Sequence, residues 1–347
     1  MRYLITIVCA ALMLGTATSA AKAPKQTKKE PLLLIVETDM GNDIDDALAF
    51  DLIYKAMDDG LVKLLAVGDH KLSPTANDYV DILNTWYGYG KTPLAYSPTP
   101  VRNDHNPDYT KAVVAMKRAD GKPAFVGSKK SSQIENPVTL YRKTLAKAKD
   151  NSVSVISLGF ATELAKLLDS PADKYSPLTG RELVAKKVKV LSIMAGSYGA
   201  KKRAEYNVVN DIPAMKKVFA EWPTPIVQNP FELGKRVMYP AKAITEQFGW
   251  AELHPVVEGY KHYLKMPYNR PTWDLLSVVW LLRPEMFVES EAGTVSVDDK
   301  GYTHFTPSAE GKHRWLTATP EQCKALREYI ITTTTRAPKH FKKQGKR

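Results

Sequence analysis

Cysteine is almost missing from this 347-residue chain, which carries only Cys9 and Cys323. Cys9 lies in an N-terminal apolar run, so Cys323 stands alone in the rest and no intrachain disulfide can staple the fold. Stability has to come from a packed core. A Gly-rich phosphate loop ending in Lys-Ser/Thr is also lacking, which argues against a nucleoside triphosphatase. After the first twenty residues no apolar run is long enough to span a bilayer, so stable membrane insertion is not expected. Internal repeats and coiled-coil heptads are absent too. With 44% hydrophobic and 25% charged residues, what remains is ordinary globular composition.

The net charge of +12 suggests nucleic acid until it is located. Residues 1–30 carry +4 and residues 336–347 carry +6, leaving about +2 for everything between. The basicity sits in terminal segments rather than on a folded face, so no nucleic-acid partner is expected. Arg2, the apolar stretch Tyr3 to Gly15 and the small residues Thr16 to Ala20 read as a secretory signal cut after Ala20. An uncleaved anchor is the rival reading, and Cys9 comes too early for a lipoprotein. Residues 1–20 are thus a signal peptide, 21–30 a basic linker, 31–335 one domain and 336–347 a basic tail. The destination is periplasmic or secreted.

Leu32 to Val36 is apolar without alternation, as a strand buried on both faces should be. Leu61 to Val67, Thr92 to Tyr96, Val153 to Leu158, Val188 to Met194 and Pro225 to Val227 are further strand candidates. Helical spacing falls between them, at Ala47 to Ala56, Ala76 to Tyr89 and Phe160 to Leu168. Asn103 to Asp150 is more polar and reads as loops and helices near the site. The alternation predicts a single doubly wound α/β domain with a mainly parallel central sheet. Gly293 to Phe305 alternates around Asp299-Lys300-Gly301 and predicts a β-hairpin.

The chemistry concentrates in Glu37-Thr38-Asp39-Met40-Gly41-Asn42-Asp43-Ile44-Asp45-Asp46-Ala47, five carboxylates in ten residues between a buried strand and a helix. Ligands of open α/β sheets bind at the carboxyl ends of strands, where this loop falls. Acids so close repel unless a cation neutralises them, and a hard ion such as Ca²⁺ suits oxygen donors. Zinc would be expected to bring His or Cys. A solvated helix cap would explain a lone Asp here, but not five acids. An EF-hand fails on spacing, since counting from Asp39 puts Ile44 at the sixth position and Phe50 at the twelfth.

This signature resembles the N-terminal motif of the inosine-uridine nucleoside hydrolases. Four later blocks resemble that family in its order: Val155 to Ala165; Met194 to Ser197 with Ala204 to Asp211; Pro225 to Val227 with Phe231 to Gly234; and Thr272-Trp273-Asp274 opening an apolar helix. The resemblance implies a nucleoside hydrolase-like fold and hydrolysis of the N-glycosidic bond of ribonucleosides. It implies Asp39 as metal ligand and as general base on a metal-bound water. Asp46, Asp274 and the Leu158 carbonyl would complete the Ca²⁺ ligands. Asp45, Glu205, Asn207 and, less securely, Ser197 would hold the sugar. It also suggests a small-molecule nucleoside or riboside partner and a homo-oligomer.

Four positions depart from the family pattern: Ser197 stands where the family usually has Asn, Asp69 where Asn usually follows Gly, and Trp273 and Glu37 depart as well. Trp273 stands where several members have His, and an indole is no acid near neutral pH, so stacking on a purine or plain core packing are its two readings. Glu37 replaces an Asp and is expected to support the loop from behind. His70 and His262 are alternative acids, and Tyr198, Tyr206 and Tyr268 are candidate base-pocket residues. Three other functions stay open: hydrolysis of another ribofuranoside, calcium-dependent ribose binding without turnover, and metal-dependent phosphate hydrolysis.

Overall fold

The computed structural model describes residues 30–99 and 108–339. The expected signal peptide and nearly all of the linker lie outside them, as do residues 340–347. From Pro31 onward the chain folds as one unit.

Among the described residues ten strands make one sheet: β1 (Leu32–Thr38), β2 (Val62–Asp69), β3 (Leu94–Tyr96), β4 (Val153–Ser157), β5 (Val188–Met194) and β6 (Ile226–Asn229), then β9 (Val288–Glu289), β10 (Gly293–Val297), β11 (Thr303–Pro307) and β12 (His313–Thr317). A separate two-stranded ribbon pairs β7 (Met238–Tyr239) with β8 (Arg270–Pro271). The order β3-β2-β1-β4-β5-β6 is parallel throughout. Strand order reverses between β1 and β4, and the loops after them therefore diverge and open a crevice. Glu37 pairs with Ser157 and Thr38 with Asp69, so three strands end level beneath the acidic loop.

Among the described residues thirteen α-helices accompany the sheet: α1 (Asp45–Asp58), α2 (Pro74–Trp86), α3 (Tyr109–Ala115), α4 (Pro137–Lys147), α5 (Thr162–Asp169), α6 (Gly180–Lys187), α7 (Tyr206–Asn210), α8 (Ile212–Glu221), α9 (Phe231–Arg236), α10 (Ala241–Glu246), α11 (Pro255–Tyr263), α12 (Trp273–Leu282) and α13 (Pro320–Thr334). Leu34 and Val36 of β1 join the core shared with α1, α2, α11, α12 and α13; Ile35 joins that of α4, α5, α6 and α8. This is the period-2 alternation of a strand, with both faces covered. The α12 sequence WDLLSVVWLL is apolar nearly all round because it packs on α1 as well as on β5 and β6.

Boundaries shift for local reasons. The helix expected from Phe160 starts at Thr162, because the Phe160 amide is used by His70. The helix expected to reach Tyr89 stops at Trp86, and Gly88 turns away with φ +87°. The hairpin forms as β10 and β11, but it extends the main sheet through β12, a strand the sequence pattern did not signal. Of the polar stretch Asn103 to Asp150, α3 packs near the acidic loop, whereas α4 lies on the far face against β2, β3 and α5. Arg336, assigned to a basic tail, instead pairs with Asp59 at the end of α1.

Lys55 and Asp51, one turn apart on α1, form an ion pair fully enclosed by Tyr87, His254 and the Thr334 carbonyl of α13. Burial pushes the Asp51 carboxyl up and Lys55 opposes the shift. Removing one partner strands the other charge. Lys55→Met should therefore cost about 3 kcal/mol in urea unfolding, and Asp51→Asn in the same chain should recover part of it.

Candidate active site

A cavity of about 210 Å³ opens at the switch point. Its floor is built from two places far apart in the chain. Asp45 and Asp46 occupy the first turn of α1, and Asp274 the first turn of α12, 228 residues beyond Asp46. An oxygen from each lies within 4.8 Å of the others, and all three are buried. The Asp274 amide donates to Asp45 Oδ2 at 3.0 Å, and the Thr38 hydroxyl donates to Asp46. Two helix N-termini thus aim at one point.

Magnitudes decide what such a trio can be. A helix N-terminus favours a nearby carboxylate by about 0.3–1 kcal/mol. Two full charges 4.8 Å apart repel by about 3 kcal/mol at an effective dielectric of 20. Repulsion wins, and burial adds to it. Burial first, then the neighbouring acids, raise Asp45, Asp46 and Asp274 well above the usual carboxylate range. Among the described residues none of the three forms an ion pair with a side-chain cation. The group either keeps protons or takes a cation, and an all-oxygen buried set fits a hard divalent ion. These residues are no solvated cap: the α1 N-cap is Ile44, which makes no side-chain cap bond.

Asp39 lines the same cavity just outside the trio. Asn42 Nδ2 donates to its Oδ2 at 2.7 Å. A Cβ at Gly159 would sit 2.7 Å from its Oδ1, so that glycine makes room for the carboxylate. Gly41, at φ +107°, lets the loop turn here. The Leu158 carbonyl accepts from Asn207 Nδ2 at 2.8 Å, which leaves a second lone pair. Opposite, Glu205 caps α7, accepting from the amides of Asn207 at 3.0 Å and Val208 at 3.3 Å. The Gly196 amide adds a third bond at 3.3 Å. Burial pushes Glu205 up to about 7 against these donors, with help from Asp39.

Most of the expected site residues thus converge: Asp39, Asp45, Asp46, Leu158, Glu205, Asn207, Trp273 and Asp274 all line the cavity. Ser197 does not. Its hydroxyl donates to Glu232 and accepts from the Arg203 amide, so it braces the loop instead of facing the sugar side. His70 is no acid either, because burial, assisted by Lys166, lowers it to about 3 and its Nε2 accepts from the Phe160 amide. His262 is exposed and outside the cavity. Glu37 bonds Ser157 and Tyr141 behind the site.

The wall facing the acids is aromatic. Trp273 stacks on Phe231 with centroids 5.4 Å apart, and its indole N–H donates to the Phe231 carbonyl at 2.9 Å. Gly234 permits this, since a Cβ there would lie 2.0 Å from the indole. Arg270 stands over Trp273 and Tyr263 and binds Asp43 with two nitrogens. Tyr206 also lines the cavity, whereas Tyr198 and Tyr268 spend their hydroxyls on Gln228 and the Tyr260 carbonyl. Sequence reasoning gave no place to Arg270, Tyr263 or Met194, which also line it. Only the proximity of Arg270 and Tyr263 to Asp274 in the chain hinted at them.

A switch-point crevice with clustered buried acids on one side and stacked rings on the other defines an α/β protein with a small-molecule site. The family model for inosine-uridine preferring nucleoside hydrolase matches residues 34–329, so the chain belongs to that family, and with it to the glycosidases that cleave N-glycosidic bonds. Solved structures share the fold at low identity. A plant nucleoside hydrolase is 19% identical with a TM-score of 0.65, covering 87% of this chain and 99% of its own. The inosine-uridine preferring enzyme of Bacillus anthracis is 15% identical at 0.65, covering 88% and 99%. A purine-preferring ribonucleoside hydrolase of Gardnerella vaginalis is 14% identical at 0.65, covering 87% and 99%. No curated protein sequence matches the chain.

The raised acids set a pH signature. Above the ordinary Asp value of 3.8 the unfolded chain has released protons that the folded site still holds, so folding stability falls as pH rises. A divalent ion held by these acids would replace those protons. The contribution of these three acids to the stability of ion-free protein should fall as pH rises above about 4, so added Ca²⁺ should raise the melting temperature most at the alkaline end. A Ca²⁺ effect equal at all pH values would contradict this.

Proposed function

We propose that the protein hydrolyses ribonucleosides to free base and ribose with the help of Ca²⁺. The observation that carries the reading is the arrival of Asp274 beside Asp45 and Asp46, across the cavity from Glu205 and Asn207. Asp46, Asp274 and the Leu158 carbonyl, with Asp39, would hold the ion. When bound, such an ion acidifies a water and chelates a vicinal sugar diol. Asp39 takes a proton from the attacking water. Asp45 accepts from one ribose hydroxyl, while Glu205 and Asn207 hold the sugar from the far side and fix its angle to the water. As the C1′–N bond breaks, its electrons leave with the base and positive charge grows on the ring, where the surrounding carboxylates stabilise it.

Among the described residues, the departing base meets Trp273, Phe231 and Tyr263. A planar leaving group stacked on that wall suits a purine better than a smaller ring. The lack of histidine among the described cavity residues also supports a second reading, riboside binding without turnover. Residues 1–20 support export, to a periplasm or medium.

Incubation with inosine, uridine and p-nitrophenyl riboside separates the readings: base release stopped by EDTA and restored by Ca²⁺ is the expected result, and tight binding with no release favours the second. In the same assay Asp39→Asn should lower kcat by about 10³-fold or more with the fold intact; near-normal turnover would sink the role given to Asp39. Trp273→Ala should weaken kcat/KM for inosine more than for uridine, whereas equal losses would assign the indole to packing alone.

A further inference from the structure

One buried cation beside the site has no part in the scheme above. Lys71 follows β2 directly after His70, and its side chain is 2% exposed. Its Nζ donates to Asn42 Oδ1 at 2.5 Å, and Asn42, equally buried, donates onward to Asp39 Oδ2 at 2.7 Å. The three groups therefore stand in line, ammonium to amide to carboxylate.

Only one orientation of the amide satisfies that line. An ammonium has donors and no acceptor, and an ionised carboxylate has acceptors and no donor. The Asn42 oxygen must face Lys71, so its nitrogen must face Asp39. Without the lysine the amide is free to turn over, and its oxygen would then repel the carboxylate. Asp39 is confined on its other side as well, where Oδ1 lies against Gly159. The carboxylate is held between a donor it needs and a backbone with no side chain.

The charges of the loop divide accordingly. Asp43 has Arg270 as its partner. Asp39 has Lys71 at one remove. Asp45, Asp46 and Asp274 form no ion pair with a side-chain cation among the described residues and stand together at the cavity floor. We infer that Lys71 is a positioning residue for Asp39, acting through the Asn42 amide to aim the carboxylate that receives the water proton. The inference rests on the hydrolase reading. A general base set about 1 Å off line can lose about 100-fold in rate, while ligands held by α1 and α12 stay where they are.

The test compares the parent with Lys71→Met, Lys71→Arg, Asn42→Leu and the Lys71→Met/Asn42→Leu pair, using inosine at saturating Ca²⁺. Ca²⁺ affinity is measured by calorimetry and the melting transition is recorded for each. Lys71→Met should lose about 100-fold in kcat with KM near parental and with Ca²⁺ affinity weakened far less than kcat, since Asp46, Asp274 and the Leu158 carbonyl would still hold the ion, and Lys71→Arg, which keeps a donor, should recover most of the loss. Asn42→Leu should lose as much, and the pair should be no worse than Asn42→Leu alone, since both act along one line. Parental kcat in Lys71→Met, a fall in Ca²⁺ affinity that matches the fall in kcat, or additive losses in the pair would overturn the inference. If Lys71→Met loses its cooperative melting transition, Asn42→Leu decides, and parental kcat there overturns it. A parent that releases no base removes the hydrolase reading and this inference together; an active parent with an unaffected Lys71→Met removes the inference alone.

Discussion

Three carboxylates that repel one another are held together at the mouths of two helices, and much of the architecture serves to keep them there. Asp45 and Asp46 are fixed by α1, Asp274 by α12, and the two helices pack on each other and on the same face of the sheet. Repulsion of about 3 kcal/mol per charged pair would drive an unsupported cluster apart or protonate it. Here the packing of an almost wholly apolar α12 sets the position, and the acids have to accept their neighbours. A protein that bears such a cost in its folded state has a site prepared for positive charge.

The rest of the cavity follows from the strand order. Because β1 is flanked by β2 on one side and β4 on the other, the loops after β1 and β4 part, and Asp39 and Leu158 face each other across the gap. β5 adds Met194, and the loop after it leads to the Glu205 cap of α7. Opposite charges are handled locally: Arg270 neutralises Asp43, and it does so while standing over the Trp273 and Tyr263 rings. The result is a cavity with an acidic floor and an aromatic wall, its buried acid trio set by the first turns of α1 and α12.

Much of this was legible in the chain because the signals are local. Leu32 to Val36 and Val153 to Leu158 read as buried strands from unbroken apolar runs, and five acids behind such a run read as a binding loop. Asp274 was reached only through resemblance, since no spacing rule joins residues 228 apart. What stayed hidden depends on tertiary partners. Ser197 carries a hydroxyl of the right kind, yet Glu232 takes it. His70 looks like an acid in a sequence, and only its enclosure by β2, β4 and Phe160 makes it a neutral acceptor. Lys71 reads as a surface lysine until Asn42 is seen beside it.

The central claim is that acids from the two ends of the domain share one ion that grips a sugar. A crystal structure of the protein grown with Ca²⁺ and a non-hydrolysable riboside tests it most directly. The account predicts one ion bound by Asp39, Asp46, Asp274 and the Leu158 carbonyl, with two vicinal ribose hydroxyls completing its shell. A riboside bound in the cavity with no ion, or an ion held by the acids with the sugar elsewhere, would contradict it.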